Sequence, residues 1–124
     1  MWIFYLFNGL LCVWMAYRDA SYIKEKQAQK IRHWLNGAVH IGVATVLWFL
    51  YGWPHFIAIL AQSAFVFDVA MNIFRKLNPF YIPMKPKSWK DRADKFIFMG
   101  NGFLAKLFYL LLFIIMAFKL WNYF

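Results

Sequence analysis

Four long apolar runs limit what this chain can fold into. They cover about residues 1–17, 35–52, 54–74 and 96–118 of the 124-residue chain. A helix rises about 1.5 Å per residue, so about 20 apolar residues cross the roughly 30 Å hydrocarbon core of a bilayer. The chain is 64% hydrophobic and 15% charged, and this excess of apolar side chains has to face something other than water. The runs predict an all-α polytopic membrane protein, a single domain over 1–124 with four transmembrane helices in a bundle.

The loops between these runs differ in composition. Residues 18–32 contain no Gly or Pro and could extend the first two helices as a hairpin. The segment LNPFYIPMKPK (77–87) contains three prolines and cannot be helical. Ser88 followed by Asp91 nearly matches a capping box, so the fourth helix is expected to start there. The predicted helices are therefore about 1–17, 35–52, 54–74 and 88–118.

The basic residues are concentrated in the first and third loops. The formal net charge is +9, and its carriers there are Arg18, Lys24, Lys26, Lys30 and Arg32, then Arg75, Lys76, Lys85, Lys87, Lys90, Arg92 and Lys95. Loops rich in Lys and Arg stay in the cytoplasm, so both termini are predicted outside, in a bacterial inner membrane. The aromatic-basic motifs of nucleic-acid readers are absent, so no nucleic acid is expected as partner. We expect these loops to contact anionic lipid head groups or a soluble partner, with Arg75, Lys76, Arg92 and Lys95 as lipid or phosphate ligands.

A few polar side chains fall at membrane depth, where each needs a partner. Asp68 is expected about 9 Å and Lys106 about 16 Å below the cytoplasmic boundary. Helical side chains lean toward their own N-terminus, so the two charged tips converge, and we predict an ion pair. The predicted intramembrane polar cluster comprises His33, Asn36, His40, Asp68, Asn72, Asn101 and Lys106.

The same cluster raises the alternative of a metal centre. Nitrogen and oxygen ligands of this kind hold Zn²⁺, Mn²⁺ or Mg²⁺, and the candidate ligands are His33, His40, Asp68, Asp91 and Asp94. A membrane-embedded hydrolase acting on a lipid head group would use Asp91 or Asp94 as general base and Arg75 or Arg92 to hold phosphate. The spacing matches no known ligand motif, and such polar stripes commonly join helices through hydrogen bonds.

The remaining features favour packing. Gly9, Gly37 and Gly42 are expected to let helix backbones approach closely. No Cys–His nucleophilic arrangement is expected, and His55 beside Pro54 is interpreted as a solvated loop residue. The resulting hypotheses are a structural or interaction protein first, then a homo-oligomeric pore, then the metal hydrolase. The pore would be lined by polar faces such as Gln62, Ser63, Asp68 and His40.

One stretch also carries a resemblance. FDVAMN (67–72), with Arg75, Tyr81, Asp91-Arg92 and the upstream His33 and His40, resembles small membrane proteins encoded by phages and prophages. The similarity covers about residues 30–95. It implies a viral or mobile-element origin, and no activity or functional residue is carried over from it.

Overall fold

The computed structural model of this protein is all-helical. It describes residues 2–27, 30, 33–81, 89–98 and 101–118, of which 86% are helical, and no strand occurs among them. The helices are α1 (Trp2–Lys24), α2 (His33–Tyr51), α3 (Trp53–Phe74), α4 (Trp89–Ile97) and α5 (Gly102–Ala117). The all-α prediction is confirmed, with five helices instead of four. The predicted capping residue Ser88 lies outside the described residues.

The first helix extends beyond its apolar run, as the composition of its loop allowed. It continues through Arg18 to Lys24 and ends in a left-handed turn at Lys26, where φ is 58°. The amide of Lys26 donates to the Ile23 carbonyl at 3.1 Å and that of Gln27 to the Tyr22 carbonyl at 2.6 Å. These two bonds form a Schellman motif, which satisfies carbonyls left open at the helix end.

A tight turn joins α2 to α3. Gly52 alone separates the two helices, with φ of 113°, a conformation that side chains other than glycine rarely adopt. Pro54 lies in the first turn of α3, where its missing amide hydrogen leaves no helical bond unmade. The helices fold back on each other, since Trp48 meets Phe56 edge-on at a ring distance of 5.2 Å.

The end of α3 repeats the motif found at the end of α1. Lys76 has φ of 58°, and the amide of Leu77 donates to the Asn72 carbonyl at 2.8 Å. The Asn72 side chain donates to the carbonyls of Pro79 at 2.9 Å and Tyr81 at 3.1 Å. Residues 77–81 are non-helical, as their proline content predicted.

The predicted continuous helix over 88–118 is wrong. It is replaced by α4 and α5, and Asn101 precedes α5 in an extended conformation (φ −82°, ψ 98°). Its side chain accepts from the Leu104 amide at 3.1 Å, which makes it an N-cap. The sequence signal was present in Gly100-Asn101-Gly102, since glycine and asparagine favour helix ends over helix interiors.

Helix α3 is the central element of the fold. It packs against α1, α2 and α5, and α4 contacts α5. A hydrophobic core brings together the start of α1, the end of α2, the start of α3 and the end of α5, through Tyr5, Ala44, Leu47, Ala58, Ile59 and Ala117. These four helices therefore alternate in direction.

The expectation of close packing at the glycines is correct at one position and wrong at two. A Cβ atom added at Gly9 would meet Gln62 Nε2 at 3.4 Å, so α1 and α3 approach closely there. At Gly37 and Gly42 no atom lies within 4 Å of such a Cβ. Both glycines are exposed, so neither marks a place where α2 approaches another helix of the described chain.

Two helices of the described chain are long and apolar enough to cross a membrane. These are the segments Trp34–Tyr51 and Trp53–Phe74. Helix α5 is apolar but has 16 residues, a length of about 24 Å. The four-span bundle predicted from the sequence goes beyond this finding and is taken up below.

Candidate polar sites between the helices

The ion pair expected between α3 and α5 is present. Lys106 Nζ donates to Asp68 Oδ2 at 2.8 Å, with the lysine side chain 2% and the aspartate 14% exposed. Lys106 comes from the first turns of α5, which Asn101 orients by capping that helix. A buried charge pair of this kind holds two helices in one register, because shifting either helix would leave a charge uncompensated.

A second site lies where α1, α2 and α3 meet. Asn8 Nδ2 donates to Gln62 Oε1 at 2.9 Å and to Ser63 Oγ at 3.0 Å. Asn8 Oδ1 lies 2.8 Å from His40 Nδ1. An amide oxygen can only accept, so His40 carries its proton on Nδ1 in this contact. Asn8 is fully buried and uses its donor and its acceptor to connect three helices.

Cys12 completes this group, which the sequence interpretation did not foresee. Its Sγ lies 3.7 Å from His40 Nε2 and 3.9 Å from Nδ1, a proximity that the sequence interpretation did not include. Cys, His and Asn side chains also form the nucleophilic site of some proteases. Here the thiol is fully buried and nearly equidistant from both ring nitrogens. The contact between the thiol and the imidazole therefore lies inside the packing of α1 against α2.

A third site joins the end of α1 to the start of α2. Asn36 Nδ2 donates to Asp19 Oδ2 at 2.9 Å, and Arg18 Nη2 donates to Asn36 Oδ1 at 2.8 Å. Arg18 also bonds Asp19 Oδ1 through Nε at 3.1 Å and Nη2 at 3.0 Å, and its guanidinium lies 5.3 Å from the Trp14 ring centre. The buried carboxylate is therefore compensated by one half-exposed arginine and one amide.

His55 differs from its expected setting. It lies in the first turn of α3, is fully buried, and its Nδ1 is 2.6 Å from the Tyr5 hydroxyl. The reason is the one-residue turn at Gly52, which starts α3 early enough to carry His55 into the interface with α1. The interpretation as a solvated loop residue is wrong.

The remaining predicted residues have separate partners. Asn72 supports the loop after α3, Asn101 caps α5, and the Tyr109 hydroxyl donates to Asp94 Oδ1, which connects α4 to α5. The polar residues expected in one layer are thus distributed over several contacts. The predictions that rest on the side chains of His33 and Asp91 fall outside the described part of the structure.

The candidate metal ligands do not come together in the described part of the chain. His40 is bonded to Asn8, Asp68 to Lys106 and Asp94 to Tyr109. Among the described residues no three His, Cys, Asp or Glu side chains are gathered as a metal ion requires. Their oxygen and nitrogen atoms are used in contacts between helices.

The candidate phosphate ligands divide into two groups. Arg75 and Lys76 lie together at the end of α3 and share a groove with Lys24 of α1. Arg92 and Lys95 are exposed on α4 and do not line that groove. The ends of α1 and α3 thus share a basic surface made by Lys24, Arg75 and Lys76.

Comparison with known proteins identified no relative of this chain. No protein-family model matches this sequence, and no curated protein or solved structure matches it either. What the fold and its contacts define is a class: an all-helical protein with two helices long and apolar enough to span a membrane, joined to their neighbours by buried polar contacts.

Proposed function

We propose that this chain is a small integral membrane protein with a structural or interaction role. In this proposal α1, α2, α3 and α5 each cross the bilayer of a bacterial inner membrane, with both termini outside. The basic segments at 18–32 and 75–95 lie at the cytoplasmic face. There they contact anionic lipid head groups or a soluble partner, with about 1 kcal/mol contributed by each Lys or Arg near the surface.

One observation carries the proposal: polar groups face inward and apolar groups face outward. Asn8 and Asp19 are fully inaccessible and Lys106 is 2% exposed, whereas Phe49 is 85% and Ile3 72% exposed. In water, such a surface would be an aggregation hazard, because large exposed apolar patches associate. In hydrocarbon it is the favourable arrangement, since every polar group has to find its partner within the protein.

Helix lengths are compatible with four crossings. Helix α1 has 23 residues, α2 has 19 and α3 has 22, whereas α5 has 16. A hydrophobic stretch shorter than the bilayer is accommodated by local thinning at a fraction of a kcal/mol per Å. The alternating directions of the four helices agree with short turns and with the grouping of basic residues at one end.

Cysteine labelling tests this topology. In a Cys12→Ala background, Lys26→Cys should react with a membrane-impermeant maleimide only after the membrane is opened. Tyr51→Cys, at the opposite end of the bundle, should react in intact cells. Both side chains are exposed on the protein surface, so the side of the membrane on which each lies, and not burial within the protein, decides whether it is labelled. Equal labelling of both positions in intact cells would refute the orientation.

The two other hypotheses receive less support. A pore between copies would need Ser63, His40 and Asp68 at a surface shared by those copies, and each has a bonded partner inside the same chain. A metal hydrolase would need the same histidine and aspartate to leave those partners. Metal analysis of the purified protein and an ion-leakage assay in liposomes distinguish both hypotheses from the structural one.

A further inference from the structure

The ends of α1 and α3 enclose a groove with two kinds of lining. Its volume is about 510 Å³, within the range typical of ligand sites. One wall is apolar and is formed by Tyr17, Ile23 and Phe74, with the two aromatic rings edge-on at 5.6 Å. The rim is basic and is formed by Lys24, Arg75 and Lys76. The groove therefore combines basic and apolar lining residues.

The charge of the rim has one sign. Three cations come from two different helices, and none of the described residues that line the groove is acidic. All three side chains are exposed, so they can turn their charged ends toward the same ligand. Cations held close together repel each other, and an anion among them removes that repulsion. An arginine beside two lysines suits phosphate, which guanidinium binds through two parallel hydrogen bonds.

Hydrogen bonds at the ends of the two helices reduce the number of free carbonyls near the groove. The Gln27 amide donates to the Tyr22 carbonyl and the Leu77 amide to the Asn72 carbonyl in their Schellman motifs. Those motifs place the chain beyond each helix in a left-handed turn, and at α3 this turn carries Lys76 to the rim. The cations are thereby held at the level where aromatic side chains such as Tyr17 are enriched in membrane proteins.

We propose that this groove binds one anionic phospholipid. The phosphate lies among Lys24, Arg75 and Lys76, and the upper part of an acyl chain lies against Tyr17, Ile23 and Phe74. This inference rests on the proposed function, because it needs the groove at the cytoplasmic membrane surface. It goes further by assigning the anionic lipid to one site with one-to-one stoichiometry instead of to the basic segments in general.

The test is native mass spectrometry of the full chain in mild detergent micelles, titrated with phosphatidylglycerol. Phosphatidylcholine is the zwitterionic control, and inorganic phosphate tests the head group without acyl chains. Lys76→Gln should weaken phosphatidylglycerol binding about fivefold, and removal of all three charges should weaken it about 100-fold, at about 1 kcal/mol per charge. Lys26→Gln is the matched control, since Lys26 has the same φ of 58° at the end of α1 but does not line the groove.

The outcomes separate this inference from the function on which it rests. A single phosphatidylglycerol adduct that weakens in Lys76→Gln and persists in Lys26→Gln supports the groove. Equal weakening in both variants means diffuse attraction by the basic segments, which overturns the groove and leaves the proposed function standing. Competition by inorganic phosphate at similar concentration overturns the lipid assignment. If phosphatidylglycerol and phosphatidylcholine bind the wild type equally, the groove and the anionic-lipid role both fail.

Discussion

Removal of the Asp68–Lys106 ion pair tests the reasoning about buried polar groups most directly. The changes are Asp68→Asn, Lys106→Met and both together, and Met keeps most of the lysine stem. Asp68→Asn leaves an ammonium group that is 2% exposed without its 2.8 Å carboxylate. We expect a loss of about 3 kcal/mol, at the lower end of the range for breaking a buried pair.

The lysine change should cost less because its partner is nearer to solvent. Asp68 is 14% exposed, so its carboxylate retains some access to solvent when the lysine is replaced. We expect Lys106→Met to cost about 2 kcal/mol and the double variant about 1–2 kcal/mol, since the double variant leaves no buried charge without an opposite charge. The coupling energy is then about 3–4 kcal/mol, at or slightly above the upper end for contacting pairs.

The assay is reversible unfolding in mixed micelles, followed by helical circular dichroism. The control cycle combines Asp68→Asn with Lys26→Met, and its two effects should add, because Lys26 is exposed at the end of α1. If the losses from Asp68→Asn and Lys106→Met also add in their double variant, the pair contributes no coupling. The carboxylate would then be present for a reason other than joining α3 to α5.

Two further predictions concern single positions. Lys76→Gly should stabilise the protein by about 1 kcal/mol in the same assay, because glycine adopts a φ of 58° without strain. The control is Arg75→Gly, which should destabilise the protein, because Arg75 has an ordinary φ of −86°. Equal effects of the two substitutions on stability would refute this reasoning. Asn8→Leu should cost about 2–3 kcal/mol, since His40 and Gln62 lose a buried partner, and retention of wild-type stability would show that other groups replace it.

The helices could be predicted from the sequence because apolar length and turn residues are local properties. The ends of α2 and α3 lie within two residues of their predicted positions, and Gly52-Trp53-Pro54 marks the turn between them. The break before α5 was missed because Gly100-Asn101-Gly102 adjoins an apolar run long enough to be one helix with it. Asn101 lies there as an N-cap, which the same residue type also favours.

Pairing between helices was predictable only where chain connectivity limited the choice. The Asp68–Lys106 pair followed from depth and side-chain lean on helices adjacent in sequence. His40 was predicted in the same polar cluster as Asp68, yet its partner is Asn8 of α1. An estimated depth gives the position of a residue along the helix axis. It does not say in which direction around that axis the side chain points. The missing signal was in α1, where Asn8, Cys12 and Asp19 lie at helical spacing on one buried face.

That face explains how α1 is held beside α2. At one end of the contact between α1 and α2 there is an apolar groove of about 420 Å³, lined in part by Ile3, Phe7 and Val46. The two helices are therefore not closely packed there. They are connected instead by His40 to Asn8 and by the triad around Asp19. In the bilayer proposed above, lipid chains would solvate leucine as well as another helix does, so apolar contact alone would leave the position of α1 poorly determined. The buried polar groups, although costly to insert, are therefore what gives α1 one position against its neighbours.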